Sequence, residues 1–171
     1  MEAEEKNMEF EEVLQKRHSC RKFSMEPIGE EKIEKILKAA QMGPSARNLR
    51  PYRFVLVESE EKRQMVYDGL PFGRYPSPLI ILVVGDERKS PNGLWQADCA
   101  ISAENILLEA TNLGIASLWC AVYPYQDRLR GVNEVAETEE GEYVYCAILL
   151  GHEDGYKGIE KKYEKEKVRR V

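Results

Sequence analysis

The sequence predicts a domain in which helices and strands alternate, and three observations lead there. Short apolar runs read as strands, the segments between them carry apolar residues at helical spacing, and turn or capping residues separate the two. With 171 residues, 43% of them apolar, the chain is long enough for one well-buried domain and short for two. One domain over residues 1–171 is therefore expected, with no repeat, linker or low-complexity block to divide it. Alternation by itself suggests a doubly wound parallel sheet. The fingerprints that accompany such sheets are missing: no Gly-x-Gly-x-x-Gly follows a strand, and no Gly-Lys-Ser/Thr phosphate loop occurs.

Taken in order, Asn7 is placed to cap a first helix running to about Arg17, with Phe10, Val13 and Leu14 on one face. Ile33, Ile36, Leu37 and Ala40 recur at helical spacing behind Glu30 and Glu31, and Gly43-Pro44 stops that second helix. Phe54 to Val57 reads as a buried strand, and Ser59 starts a third helix with Glu60 and Glu61 behind it. A second strand follows Pro78. The longest helix runs from about Asn92 to Leu113 and is closed by Gly114. Its small residues, Ala97, Ala100, Ala103 and Ala110, alternate with large apolar ones on several faces, so burial on more than one side is expected. A third strand covers roughly Ile115 to Val122, a short helix follows Tyr125, and a fourth strand spans about Tyr143 to Leu150 before a charged tail.

Composition excludes several functions. A formal charge of -5 argues against general nucleic-acid binding. The longest apolar run, Leu79 to Val84, is far shorter than the roughly 20 residues of a spanning helix, so no membrane partner is expected. An acidic start, Met1-Glu2-Ala3-Glu4-Glu5, lacks the basic and apolar regions of a secretory signal, which predicts a cytoplasmic protein. The cysteines at 20, 99, 120 and 146 form no Cys-x-x-Cys pair and have no histidine at ligand spacing, so no metal is expected. Cys20 stands between cations that would lower its pKa if it were exposed.

Two segments carry chemistry. Arg17-His18-Ser19-Cys20-Arg21 sets guanidinium forks around a hydroxyl, the donor set of a phosphate or polyol grip. A solvated cationic helix end explains the same pentapeptide equally well. Gly43-Pro44-Ser45-Ala46-Arg47-Asn48-Leu49-Arg50-Pro51-Tyr52 ends a helix and then offers a hydroxyl, an amide and a ring at close spacing. A helix cap and turn account for Gly43 and Pro44 but not for the rest.

Together these segments resemble the two signature segments of the nitroreductase family of FMN-dependent oxidoreductases. The stretch Trp95 to Ala100, Glu104 to Ala110 and Leu113 to Cys120 looks like the family's central helix and following strand. The resemblance covers nearly the whole chain from Glu11, and it implies an α+β fold: an α-β-α sandwich around a mostly antiparallel mixed sheet. It also implies FMN as cofactor, held by Arg17, His18, Ser19 and Arg21 with Pro44, Ser45 and Asn48. A backbone N–H at Ala121 or Val122 would face flavin N5, where many relatives have Gly. Lys161 and Lys162 of the tail would add to the phosphate grip. Arg50 and Tyr52 stand where relatives more often carry Gln and Trp, on the substrate side.

What the resemblance implies further is a homodimer with each site shared between two chains, and the long apolar helix at its core. The reaction it implies is a ping-pong transfer from NAD(P)H to a nitroaromatic, quinone or similar organic acceptor. No catalytic side chain is required, because the cofactor carries the chemistry. The short stretch between Leu70 and Trp95 leaves little room for a covering insertion, which predicts an open site and counts against a lid-dependent deiodinase. An alternative is a flavin-binding sensor or storage module with Cys20 as redox handle. A third is an interaction domain without cofactor.

Overall fold

The computed structural model describes residues 8–72, 74–90, 92–155 and 163–171. Among the described residues four strands form one sheet in the order β1-β2-β4-β3: β1 Tyr52–Val57, β2 Leu79–Asp86, β3 Ala116–Ala121 and β4 Glu142–Gly151. Every pair of neighbours is antiparallel. The parallel sheet suggested by alternation is thus corrected, and the α+β sandwich expected from the resemblance holds. Central strands β2 and β4 are buried almost throughout, while β1 and β3 are half-buried edges. The expectation of a buried first strand fails for that reason: only Val57 of β1 is fully covered.

Helices coat both faces. On one side lie α2 Glu30–Ala40 and α4 Trp95–Asn112, and on the other α3 Glu60–Gly69 and α5 Gln126–Ala136. Ile33, Ile36 and Ala40 are the buried stripe of α2, and Ser59 caps α3 by accepting from the Lys62 amide at 3.3 Å. The first helix, α1 Phe10–Lys16, buries only Val13 and leaves Phe10 and Leu14 exposed. Its expected cap, Asn7, lies outside the described residues.

Helix α4 spans the sheet beneath α2. It ends as its glycine requires: Gly114 has φ +70°, the Gly114 amide donates to Thr111 and the Ile115 amide to Ala110. Its apolar faces are taken up by α2 and the strands within one chain, so its composition alone does not call for a second subunit. Gly85 in β2 is there for α4, because a Cβ would overlap the Trp95 ring and lie 2.9 Å from the Cys99 sulfur.

One irregularity bears on the site. Val83 pairs with Cys146 but Val84 with Val144, leaving Tyr145 as an extra residue in β4. The carbonyl of this bulge accepts from both Val122 (3.2 Å) and Tyr123 (3.1 Å), which ends β3 and turns the chain towards α5.

Candidate flavin site at the edge of the sheet

The segment 17–21 crosses the free edge of β3 from one helical layer to the other. Arg17, just past α1, points its Nε to Glu104 of α4 at 3.8 Å. Ser19 bridges Ser117 in parallel, and the Cys20 amide donates to the Ser117 carbonyl at 2.9 Å. Successive side chains of an extended segment point to opposite sides. Cys20 is accordingly fully buried, with its thiol 3.2 Å from the Lys22 carbonyl, while Arg21 is directed outwards. Burial pushes the Cys20 thiol up, despite the neighbouring cation, so the exposure that thiol activation would require is not met. The other thiols are raised as well, Cys99 to about 12 and Cys120 to about 11, chiefly by burial. Among the described residues no cluster of His, Cys, Asp and Glu could hold a metal, and no helix is long and apolar enough to cross a membrane.

Arg21 lines a cavity of about 210 Å³ with Tyr75, Trp119, Cys120, Ala121 and Arg128, and exposed Phe72 stands on its wall. Hydrogen-bond alternation fixes which backbone groups reach it. Val122 donates to Tyr145, so the groups of Val122 turn towards β4 and those of Ala121 turn away from it, off the sheet edge. The Ala121 carbonyl indeed accepts from Arg128 Nη1 at 2.7 Å, and its amide faces the same side. Of the two expected backbone donors, Ala121 is the outward one. Val122 is wholly buried.

His18 sits between two oxygen acceptors, the Lys16 carbonyl 2.8 Å from Nδ1 and Glu153 Oε1 3.1 Å from Nε2. Its ring is engaged by the chain itself.

The second segment lies elsewhere. Ala46–Asn48 form a short 3-10 turn whose Ala46 amide donates to Asp98 Oδ1 at 2.9 Å, near the start of α4. The Ser45 hydroxyl accepts from the Arg50 amide (3.1 Å), and Asn48 Oδ1 accepts from Arg50 Nε (3.1 Å). Pro44 is exposed. Asp98 and Glu104 are six residues apart, about 9 Å along the α4 axis and about 120° around it. The turn and the Arg17 contact therefore meet α4 on different faces, and neither Ser45 nor Asn48 lines the Arg21 cavity. Lys161 and Lys162 lie outside the described residues.

Three features escaped the sequence. Arg47, Asn48 and Arg50 have φ of 53°, 57° and 46°, and a left-handed residue other than glycine costs about 1–2 kcal/mol. Such clustering marks a segment shaped for something other than stability. Arg128 is the second feature: a cation of α5 that shares the cavity with Arg21. The third is a set of buried polar atoms lacking hydrogen-bond partners, Ser117 Oγ, Arg128 Nε, Asp98 Oδ2 and Tyr52 Oη. Two of them, Ser117 Oγ and Arg128 Nε, belong to the edge and cavity that Arg21 adjoins. An unmet buried donor or acceptor costs about 1–3 kcal/mol, so each of these atoms is a local cost to the fold.

The comparisons agree with this architecture. The sequence matches the nitroreductase family over residues 14–71 and 75–152. The chain belongs to the nitroreductase family. It is 36% identical over 149 residues to a protein of Methanothermobacter thermautotrophicus provisionally named NADH dehydrogenase/NAD(P)H nitroreductase, covering 85% of this chain and 78% of that protein. A crystal structure of a protein provisionally named the same way, from Parabacteroides distasonis, superposes with TM-score 0.89 at 31% identity, over 94% of this chain and 96% of the other. A nitroreductase from Desulfitobacterium hafniense, solved with bound FMN, superposes with TM-score 0.78 at 26% identity, over 96% of this chain and 99% of the other.

Proposed function

We propose that this nitroreductase-family chain is an FMN-dependent oxidoreductase. On this reading it passes electrons from NAD(P)H to a nitroaromatic, quinone or similar organic acceptor, the two substrates binding in turn. The observation that carries the proposal is the meeting of Arg21 and the outward Ala121 edge at one cavity. The donor set suits FMN. Guanidinium forks match phosphate and ring-carbonyl oxygens, an outward strand amide matches a ring nitrogen, and the aromatic walls suit a flat ring system. When bound, FMN supplies the hydride acceptor and donor.

The chain's own residues bind and orient. Arg17 and Ser19 hold the phosphate and ribityl side of the cofactor, with Lys161 and Lys162 of the tail as further candidates. Arg21 offsets the negative charge of the reduced ring, and the Ala121 amide fixes its edge. Ser45 and Asn48 complete the site from a second copy of the chain. Their distance from the Arg21 cavity within one chain supports that homodimeric arrangement, in which residues 1–171 act as one domain. Burial of Cys20 counts against a thiol-based sensor.

The test is direct. Protein purified with its cofactor should release FMN, not FAD, on denaturation, and should oxidise NAD(P)H steadily when a quinone or nitroaromatic is added. Full occupancy by FAD, or bound FMN with no turnover by any such acceptor, would overturn the reading.

A further inference from the structure

Arg128 belongs to the first turn of α5, and two contacts hold its guanidinium at the cavity. Nη1 donates to the Ala121 carbonyl at 2.7 Å, and the guanidinium carbon stands 4.0 Å from the centroid of the Tyr125 ring, while Nε is buried with no hydrogen-bond partner. Stacking on Tyr125 fixes the plane of the group. Because the amide and carbonyl of Ala121 face the same side of β3, the bond to the carbonyl also puts positive charge beside the amide.

We propose that Arg128 is a positioning residue of the flavin site: it clamps the Ala121 peptide and adds a second positive charge to the Arg21 cavity, so that reduced FMN is held more tightly than oxidised FMN. The inference rests on the FMN reading above. Cys120, half-buried on the wall of the same cavity, lies near both charges. Its thiol is pulled downwards by Arg128 first and Arg21 second, against the larger upward effect of burial. A clamp alone would be served by any donor. A guanidinium serves both purposes, because its fork can bond the carbonyl with one nitrogen and keep another N–H for a ligand.

The experiment uses the full FMN-loaded chain with Arg128→Gln and Arg128→Lys, and reads the affinity for oxidised FMN together with the midpoint potential. Arg128→Gln should weaken reduced FMN about tenfold more than oxidised FMN, a fall of about 30 mV for a two-electron couple. Arg128→Lys should keep a potential close to that of the parent while binding oxidised FMN several-fold more weakly, because an ammonium restores the charge but not the fork. A folded, loaded Arg128→Gln protein with unchanged potential would overturn the inference alone. If Arg128→Gln does not fold by circular dichroism, Arg128→Lys decides, and parental affinity for oxidised FMN would overturn the clamp. A parent protein that binds no FMN would overturn the functional reading and this inference with it.

Discussion

Asp98 should matter through a single hydrogen bond to the backbone. Its Oδ1 accepts from the Ala46 amide at 2.9 Å and is the tie from α4 to the turn that carries Ser45 and Asn48. A hydrogen bond to a charged group contributes about 1.5–3 kcal/mol. Asp98→Ala removes it, but the freed turn can then relax the left-handed backbone at Arg47, Asn48 and Arg50. Each such residue stores about 1–2 kcal/mol, so relaxing even one offsets much of the loss. The net cost to global stability is therefore no more than about 1–2 kcal/mol, and a turn that must be re-formed on binding weakens FMN by about 1 kcal/mol, roughly fivefold. Asp98→Asn keeps an acceptor for Ala46 and turns the unpartnered Oδ2 into a donor, so it should stay within about 0.5 kcal/mol of the parent. Urea unfolding measures the first effect, FMN titration of the apoprotein the second, and hydrogen exchange at the Ala46 amide tests the cause. Equal losses for Ala and Asn, or an Ala46 amide as protected in Asp98→Ala as in the parent, would refute the reasoning.

Gly85→Ala should cost about 1–3 kcal/mol in urea unfolding, because its Cβ would overlap Trp95 and crowd Cys99 in the core. Arg21→Ala should weaken FMN by about 1.5–3 kcal/mol, roughly ten- to hundredfold, far more than His18→Ala or Cys20→Ser. His18 is engaged by Lys16 and Glu153, and Cys20 is turned inwards. In acid, Asp86 should dominate part of the stability profile. Arg88, beside it at 2.8 Å, holds its carboxyl well below the usual range against the opposing effect of burial, and Lys89 helps. A depressed folded pKa stabilises above the unfolded value of about 3.9, and that contribution is lost as pH falls through the folded value. Asp86→Asn should be destabilised at neutral pH and should lose less stability than the parent below about pH 4, as urea midpoints against pH would register.

What could be read in the sequence follows from what local physics decides. Ile33, Ile36 and Ala40 had to share a helix face, Ser59 had to cap, and Gly114 had to close the long helix, since each depends on neighbours a few residues away. Strand direction does not: a helix between β1 and β2 is compatible with either sense, and pairing across the sheet settles it. The same divide separates the site residues. Arg21 announces itself by its charge and by the motif around it. Its companion Arg128 reaches the cavity through the edge register that faces Ala121 outwards, and that register ends at the Tyr145 bulge, which no periodicity reveals. Cys20 shows the converse. Flanking charges would activate its thiol only if it were exposed, and pairing of the segment with Ser117 puts the sulfur on the inner side and Arg21 on the outer. One backbone bridge thus supplies the cation and withdraws the thiol together, and a shift of that pairing by one residue would exchange them.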